Sequence, residues 1–172
     1  MLEFKPASVN DIPVIRLLAQ QTWPSAYGNI ISPEQIAYML DLMYSEEKLQ
    51  EQMNSGQQLF SIAMYHGEPV GFASIGPTNE EGTTWHLHKL YVLPSMQGKH
   101  VGRELLNFAI HNRLPKTCTL LELNVNRENP AVNFYKRAGF TVSREVDLDI
   151  GNGFWMNDYI MSLPITPGDA TP

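Results

Sequence analysis

The sequence predicts a mixed α/β fold, an α+β arrangement in which a central, mostly antiparallel sheet of about seven strands is flanked by about four helices. Three observations predict it. Period-two and period-3.6 stretches follow one another in the order strand, helices, three antiparallel strands, helix, strand, helix, two strands. The stretch His86–Leu106 reads as a strand stopped by Pro94, a glycine-containing turn and a helix start. Finally, Asn129-Pro130 and Gly139-Phe140 bracket a short helix between strand-like runs. With 172 residues, 43% of them hydrophobic and 17% charged, the chain is long enough for one buried core. The domain is expected over 1–164, with 165–172 as a flexible proline-rich tail.

In chain order, Leu2–Ala7 forms a first strand, and Asn10 or Asp11 caps a helix that carries Ile12, Ile15, Leu18 and Ala19 toward Trp23. Trp23-Pro24-Ser25-Ala26-Tyr27-Gly28 then reads as a turn-rich break. Ser32-Pro33-Glu34 starts a second helix with Ile36, Met39, Leu40 and Met43 on one side, and Ser45 starts a third that ends at Gly56, with Leu49 and Met53 inward. Gln58–Tyr65 and Glu68–Pro77 pair about the tight turn His66-Gly67, and Thr78–Gly82 is a polar loop. In the next strand, alternation puts His86, His88, Leu90 and Val92 on one face and Leu87, Lys89, Tyr91 and Leu93 on the other. The helix after it carries Val101, Leu105, Leu106, Phe108 and Ala109 inward. Thr119–Val125 is a buried strand, and Thr141–Leu148 with Phe154–Leu163 closes the domain as a hairpin about Gly151-Asn152-Gly153.

Composition excludes several function classes. A formal net charge of -6 argues against a nucleic-acid partner, which needs a basic footprint. No apolar run reaches membrane-spanning length, the N-terminus lacks a signal-peptide pattern, and no metal-ligand spacing occurs. A single cysteine, Cys118, rules out an internal disulfide and fits a cytoplasmic location. Trp155, Met156 and Tyr159 on the closing hairpin are accounted for equally by core packing and by a homodimer interface.

The strand, glycine turn and helix N-terminus at 86–106 form an anion site, because the first amides of a helix have no internal partner and the macrodipole is positive there. The turn is neither GxxxxGK[ST] nor GxGxxG. It resembles the acyl-CoA loop of the GNAT superfamily of N-acyltransferases, [Q/R]-x-x-G-x-[G/A], read here as Gln97, Gly98, Lys99, His100, Val101 and Gly102. His100 replaces the usual glycine, and histidine is among the side chains that tolerate positive φ best. A second run, NPAVNFYKRAGF from Asn129 to Phe140, is similar to the other signature of that family, N-x-x-A-x-x-F-Y-x-x-x-G-F, at Ala131, Phe134, Tyr135, Gly139 and Phe140, with Asn129 one position nearer the alanine than in the pattern.

The resemblance implies a sheet splayed between its fourth and fifth strands, with acetyl-CoA as cofactor and CoA as product. Backbone groups of Leu90, Tyr91 and Val92 would pair with the pantetheine arm, and Gln97, Gly98, Lys99, His100, Val101, Gly102 and Arg103 would hold the pyrophosphate. Asn129 would touch the arm, and Tyr135 aligns with the family's general acid. A phenol's pKa of about 10 lies close to that of an alkyl thiol, so proton transfer to the leaving sulfur is nearly thermoneutral. His86 and His88 resemble the paired histidines of serotonin N-acetyltransferase and are the candidate bases. An imidazole near pKa 6.5 is mismatched to an ammonium by roughly four units, or about 5 kcal/mol, which favours relay through water. Asn124 and Glu122 are candidates for orienting that water.

In such a fold the segment after the first helix covers the acceptor side, so Trp23, Tyr27 and Tyr38 are expected to line the substrate site. The implied activity is acetyl transfer to a primary amine of a small molecule, of polyamine or arylalkylamine type. An N-terminal or lysine acetyltransferase of proteins and a non-catalytic acyl-CoA-binding module are the alternatives.

Overall fold

The computed structural model describes residues 1–166. Its strands are β1 (Leu2–Pro6), β2 (Leu59–Tyr65), β3 (Glu68–Pro77), β4 (Thr84–Val92), β5 (Leu120–Asn126), β6 (Thr141–Gly151) and β7 (Phe154–Pro164). Its α-helices are α1 (Ile12–Tyr27), α2 (Pro33–Met43), α3 (Glu46–Ser55), α4 (Val101–Arg113) and α5 (Ala131–Arg137), one more than the expected four. The strands form one sheet in the order β1-β2-β3-β4-β5-β7-β6. Every neighbouring pair is antiparallel except β4 and β5. Those two run parallel and pair only from Thr84–Leu120 to Leu87–Leu123, so the C-terminal half of β4 leaves β5 and the sheet splays. Among the described residues no helix is long and apolar enough to cross a membrane.

The helices cover both faces. Helices α1 to α3 bury Ile12, Ile15, Leu18, Trp23, Ile36 and Leu49 against Phe60, Ile62 and Phe72 of the sheet. On the opposite face, Leu106, Ala109 and Ile110 of α4 meet Trp85 and Leu87, and Tyr135 of α5 joins the same cluster with Phe140. Turn chemistry follows the sequence: His66 (φ 52°) with Gly67 (φ 84°) closes β2–β3, and Asn152 (φ 55°) with Gly153 (φ 77°) closes β6–β7.

Three expectations change. Helix α1 continues through Pro24 to Tyr27, where the sequence suggested a break. Proline at this point removes the amide that would reach the Gln20 carbonyl, a loss of one helix bond at an exposed residue. Inside, Thr22 Oγ1 donates to the Leu18 carbonyl at 2.7 Å, and Trp23 stays buried. Second, alternation in β4 is broken. Opposite Ser74 and Ile75 stand Lys89 and Leu87, which leaves His88 as an extra, bulged residue. Beyond it the phase inverts, so Lys89 and Tyr91 share the helix α1–α3 side with His86 and His88, whereas Leu90 and Val92 pack with the α4 side. Third, the core extends past 164: Ile165 is buried and its amide donates to the Thr119 carbonyl at 2.9 Å. The rest of the expected tail, 167–172, lies outside the described residues. On the closing hairpin Trp155 is exposed, but Met156 and Tyr159 are half-buried.

The bulge has a stereochemical companion in Gly76. A Cβ there would stand 1.9 Å from the Gln57 carbonyl oxygen and 3.3 Å from His88 Nε2. Backbone cannot yield cheaply to such a contact, so Gly76→Ala is expected to cost about 3 kcal/mol and lower the melting temperature by roughly 6 to 12 °C. A thermal melt followed by circular dichroism checks it.

Candidate active site

The splay divides the site into a groove, a cavity and a smaller space that shares walls with both. The groove, of about 680 Å³, runs along the diverging end of β4 between the start of α4 and α5. It is lined by Leu90, Tyr91 and Val92, by the turn residues Gln97, Gly98, His100, Val101, Gly102 and Arg103, and by Phe134 and Arg137 of α5. Gly98 (φ 80°) and His100 (φ 60°) are both left-handed, so histidine does occupy the conformation that usually calls for glycine. A Cβ on Gly102 would touch the Phe134 ring at 3.7 Å, so a bare backbone here leaves the first turn of α4 close to α5. Those first amides, the positive end of the thirteen-residue α4 and the guanidinium groups of Arg103 and Arg137 make the groove suited to a phosphorylated ligand. Lys99 stands apart from it: its ammonium lies 4.8 Å over the Tyr65 ring and its amide donates to the Met96 carbonyl.

On the other side of β4 lies a cavity of about 520 Å³, walled by Trp23 and Tyr27 of α1, by Met39 and Met43 of α2 with Tyr44 behind it, and by His86, His88, Lys89 and Tyr91. Gln52, Gln58, Asn124 and Asp158 add polar walls. Trp23 and Tyr27, two of the three residues expected on the acceptor side, are thus on its wall. Tyr38 is not: its hydroxyl donates to the Ile150 carbonyl at 2.8 Å and its ring meets Phe154, tying α2 to the β6–β7 hairpin.

The smaller space, at the splay itself, shares Tyr27, His88, Lys89 and Asn124 with the cavity and Leu90 and Ala131 with the groove. Tyr91 lines all three. Tyr135 and Asn129 face this junction. Asn129 Oδ1 accepts from the Ala131 amide at 2.9 Å, the cap that starts α5, and this fixes where Tyr135 emerges one turn later.

Burial sets the proton affinities. It raises the Tyr135 hydroxyl above the ordinary phenol range, with the Tyr27 charge adding to the effect. Tyr27, whose hydroxyl shares a 2.8 Å hydrogen bond with that of Tyr91, is pushed up to about 12, burial outweighing the bond. The His86 and His88 rings lie 4.8 Å apart. Desolvation holds both below the usual imidazole value, Glu122 opposing it at His86, while His86 and Lys89 add to it at His88. Both are neutral at pH 7, and the depression, to about 3 at His88, makes them weaker proton acceptors than an ordinary imidazole, His88 the weaker of the two. Asp158 is lifted by burial against the Asn124 amide, whose Nδ2 donates to it at 3.4 Å, and against Arg127.

Lys89 and Asp158 were missed in the sequence. Strict alternation placed Lys89 opposite the histidines, and only the bulge brings it round. The available signal was a charge inside an otherwise apolar run, Leu87-His88-Lys89-Leu90, and equally a carboxylate leading the apolar stretch from Tyr159 to Leu163.

A groove suited to phosphates and a cavity on the other side of β4 meet beside a buried, protonated tyrosine, the arrangement an acyltransferase that works on acyl-CoA requires. The chain belongs to the acetyltransferase (GNAT) domain family, which it matches over residues 29–163. It is an N-acetyltransferase and acetyl-CoA is its donor. An uncharacterized N-acetyltransferase of Mycobacterium bovis is 25% identical over 154 residues, 89% of this chain and 97% of that protein. Spermidine N(1)-acetyltransferase of Thermoplasma acidophilum is 28% identical over 148 residues, 82% of this chain and 89% of that one. Among solved structures, the PaiA N-acetyltransferase of Thermoplasma acidophilum in complex with coenzyme A superimposes with a TM-score of 0.81 at 26% identity, covering 96% of this chain and 99% of that one.

Proposed function

We propose that this protein acetylates the primary amine of a small molecule, of arylalkylamine or polyamine type, bound in the cavity between β4 and helices α1 to α3. The observation that carries the reading is the apolar and aromatic lining of that cavity by Trp23, Tyr27, Met39 and Met43 beside His86 and His88, which suits an acceptor with an apolar body and an amine at one end. The spermidine specificity named for one relative supports the small-amine class.

Residues lining the groove fit the donor: Gln97, Gly98 and His100 to Arg103 receive its phosphates, the exposed backbone of Leu90 to Val92 and Asn129 receive its arm, and Lys99 contributes charge at longer range. Bound acetyl-CoA supplies the acetyl group as a thioester. Tyr135, protonated at physiological pH, holds the proton that a departing sulfur requires. Neutral His86 and His88 line the acceptor side, where an ammonium must lose a proton, and water between them and the amine carries it. Asn124 and Glu122 are in position to orient such water, Asn124 on the cavity wall and Glu122 beside His86 in the parallel register.

Thiol release from acetyl-CoA, measured against spermidine, spermine, tryptamine, free amino acids and a short lysine peptide, tests the reading. Turnover on one of the small amines is the expected result; turnover on the peptide alone would move the assignment to protein acetylation.

A further inference from the structure

The polar groups of the acceptor cavity are unevenly distributed. At the end formed by α1, α2 and β4, the Trp23 indole N–H is directed at the Tyr44 hydroxyl oxygen, too loosely for a well-formed hydrogen bond, and neither buried group has another partner, so the Tyr44 O–H is left as a free donor. Both residues are nearly inaccessible and both line the cavity. Lys89 enters the same end from β4, its ammonium 5.5 Å above the Tyr44 ring and 5.3 Å above Phe60. Its Nζ donates to Gln58 Oε1 at 2.8 Å, an oxygen that already accepts from Ser74 Oγ at 2.8 Å. An ammonium has three protons to donate, so this shared oxygen does not satisfy it. The amide oxygen of Gln52, an acceptor, is also buried and unpartnered on the cavity wall.

Charge follows the same division. Lys48 and Lys89 line the cavity, and Asp158, across the splay on β7 and held by Asn124, is the one carboxylate among the residues lining it. A polycation has a single acidic partner here and two cations to oppose it. An anion has donors on several sides at one end, whereas buried donors without acceptors cost free energy in the free protein.

We infer that the acceptor carries a carboxylate as well as its amine, and that Lys89 and the Tyr44 hydroxyl, itself backed by the Trp23 indole N–H, receive that carboxylate. The amine then lies toward His86, His88 and Asp158, beside the junction that Tyr135 faces. The inference rests on the small-amine reading above and narrows it to amino acids, α- or ω-. Burial lowers the Lys89 pKa to about 7, with Lys48 adding to the effect, and a bound carboxylate restores its full charge.

Two pairs of acceptors that differ only in a carboxylate test this: phenylalanine against phenethylamine, and ε-aminocaproate against hexylamine. In at least one pair kcat/KM for the carboxylated member should be greater by ~10-fold or more, the size of a charge-assisted contact. Lys89→Met should bring that ratio down toward one. Phenylpropionate, which has the carboxylate and no amine, should compete with the acceptor on the wild-type protein, a measurement that does not depend on the variant folding. Faster turnover of both uncharged-tail amines, with no inhibition by phenylpropionate, overturns the carboxylate site and leaves small-amine acetylation standing. If no member of either pair releases thiol but the lysine peptide does, both readings fall together.

Discussion

Tyr135→Phe is expected to lower kcat by ~10² to 10⁴-fold, the usual contribution of a positioned general acid, with the dissociation constant for acetyl-CoA unchanged. The substitution removes one oxygen and nothing else. The ring is buried in the core cluster of α5, edge-on to Phe134 at 5.2 Å and to Phe140 at 5.6 Å, contacts that phenylalanine keeps. Its hydroxyl faces the junction at the splay. There burial keeps it protonated well into the alkaline range, so the acid form is fully populated at pH 7. Steady-state thiol release and calorimetric titration with acetyl-CoA separate the two effects. A loss of only a few-fold would mean that the sulfur takes its proton from elsewhere, and the assignment would fall. Equal loss in kcat and in donor affinity would instead make Tyr135 part of the groove's packing.

How far the site could be read without coordinates depended on which interactions were local. Asn129 caps α5 through an oxygen two residues from the amide it accepts, and the glycine-rich β-turns need only their own φ values. Leu121, Leu123 and Val125 alternate into the core because β5 pairs with β7 without irregularity along its whole length. Such features are fixed within a few residues, and the sequence analysis found them. What it could not find is the bulge at His88, which exists because β3 and β4 fall out of step between Ser74 and Ile75, far away in the chain. One extra residue reverses every side chain after it. Hence Lys89 and Tyr91 reach the acceptor cavity while Leu90 and Val92 go to the opposite core. Tyr38 was misplaced for a related reason: helical spacing gives its face, but only the tertiary contact with Ile150 says that the β6–β7 hairpin claims it. Pro24 was read as a stop although the helix runs on through it to Tyr27, the unpaired bond falling at the exposed residue Gln20.

Lys89→Met is expected to stabilise the protein at neutral pH, by about 2 to 4 kcal/mol, because the wild type keeps an ionisable amine in the core without a carboxylate beside it. The sign follows from the two states. Unfolded Lys89 titrates near 10.5 and folded Lys89 at about 7, so below pH 7 both states are charged and the folded one bears the full desolvation cost. Between those values the folded amine gives up its proton first and the cost shrinks as pH rises; above 10.5 both are neutral and it vanishes. The advantage of Lys89→Met should therefore be largest at pH 7 or below and nearly gone at pH 10.5. Urea unfolding at pH 7 and pH 10 measures the difference, and a gain that is independent of pH would place the Lys89 ammonium in water. Methionine has nearly the same length, and Gln58 Oε1 keeps the Ser74 hydroxyl as donor, so no new buried orphan is created. A residue that destabilises its own fold persists when a ligand gains more from it than folding loses. The same substitution that hardens the protein should thus also erase its preference for a carboxylated amine, and the two measurements on one variant bear on the same buried charge.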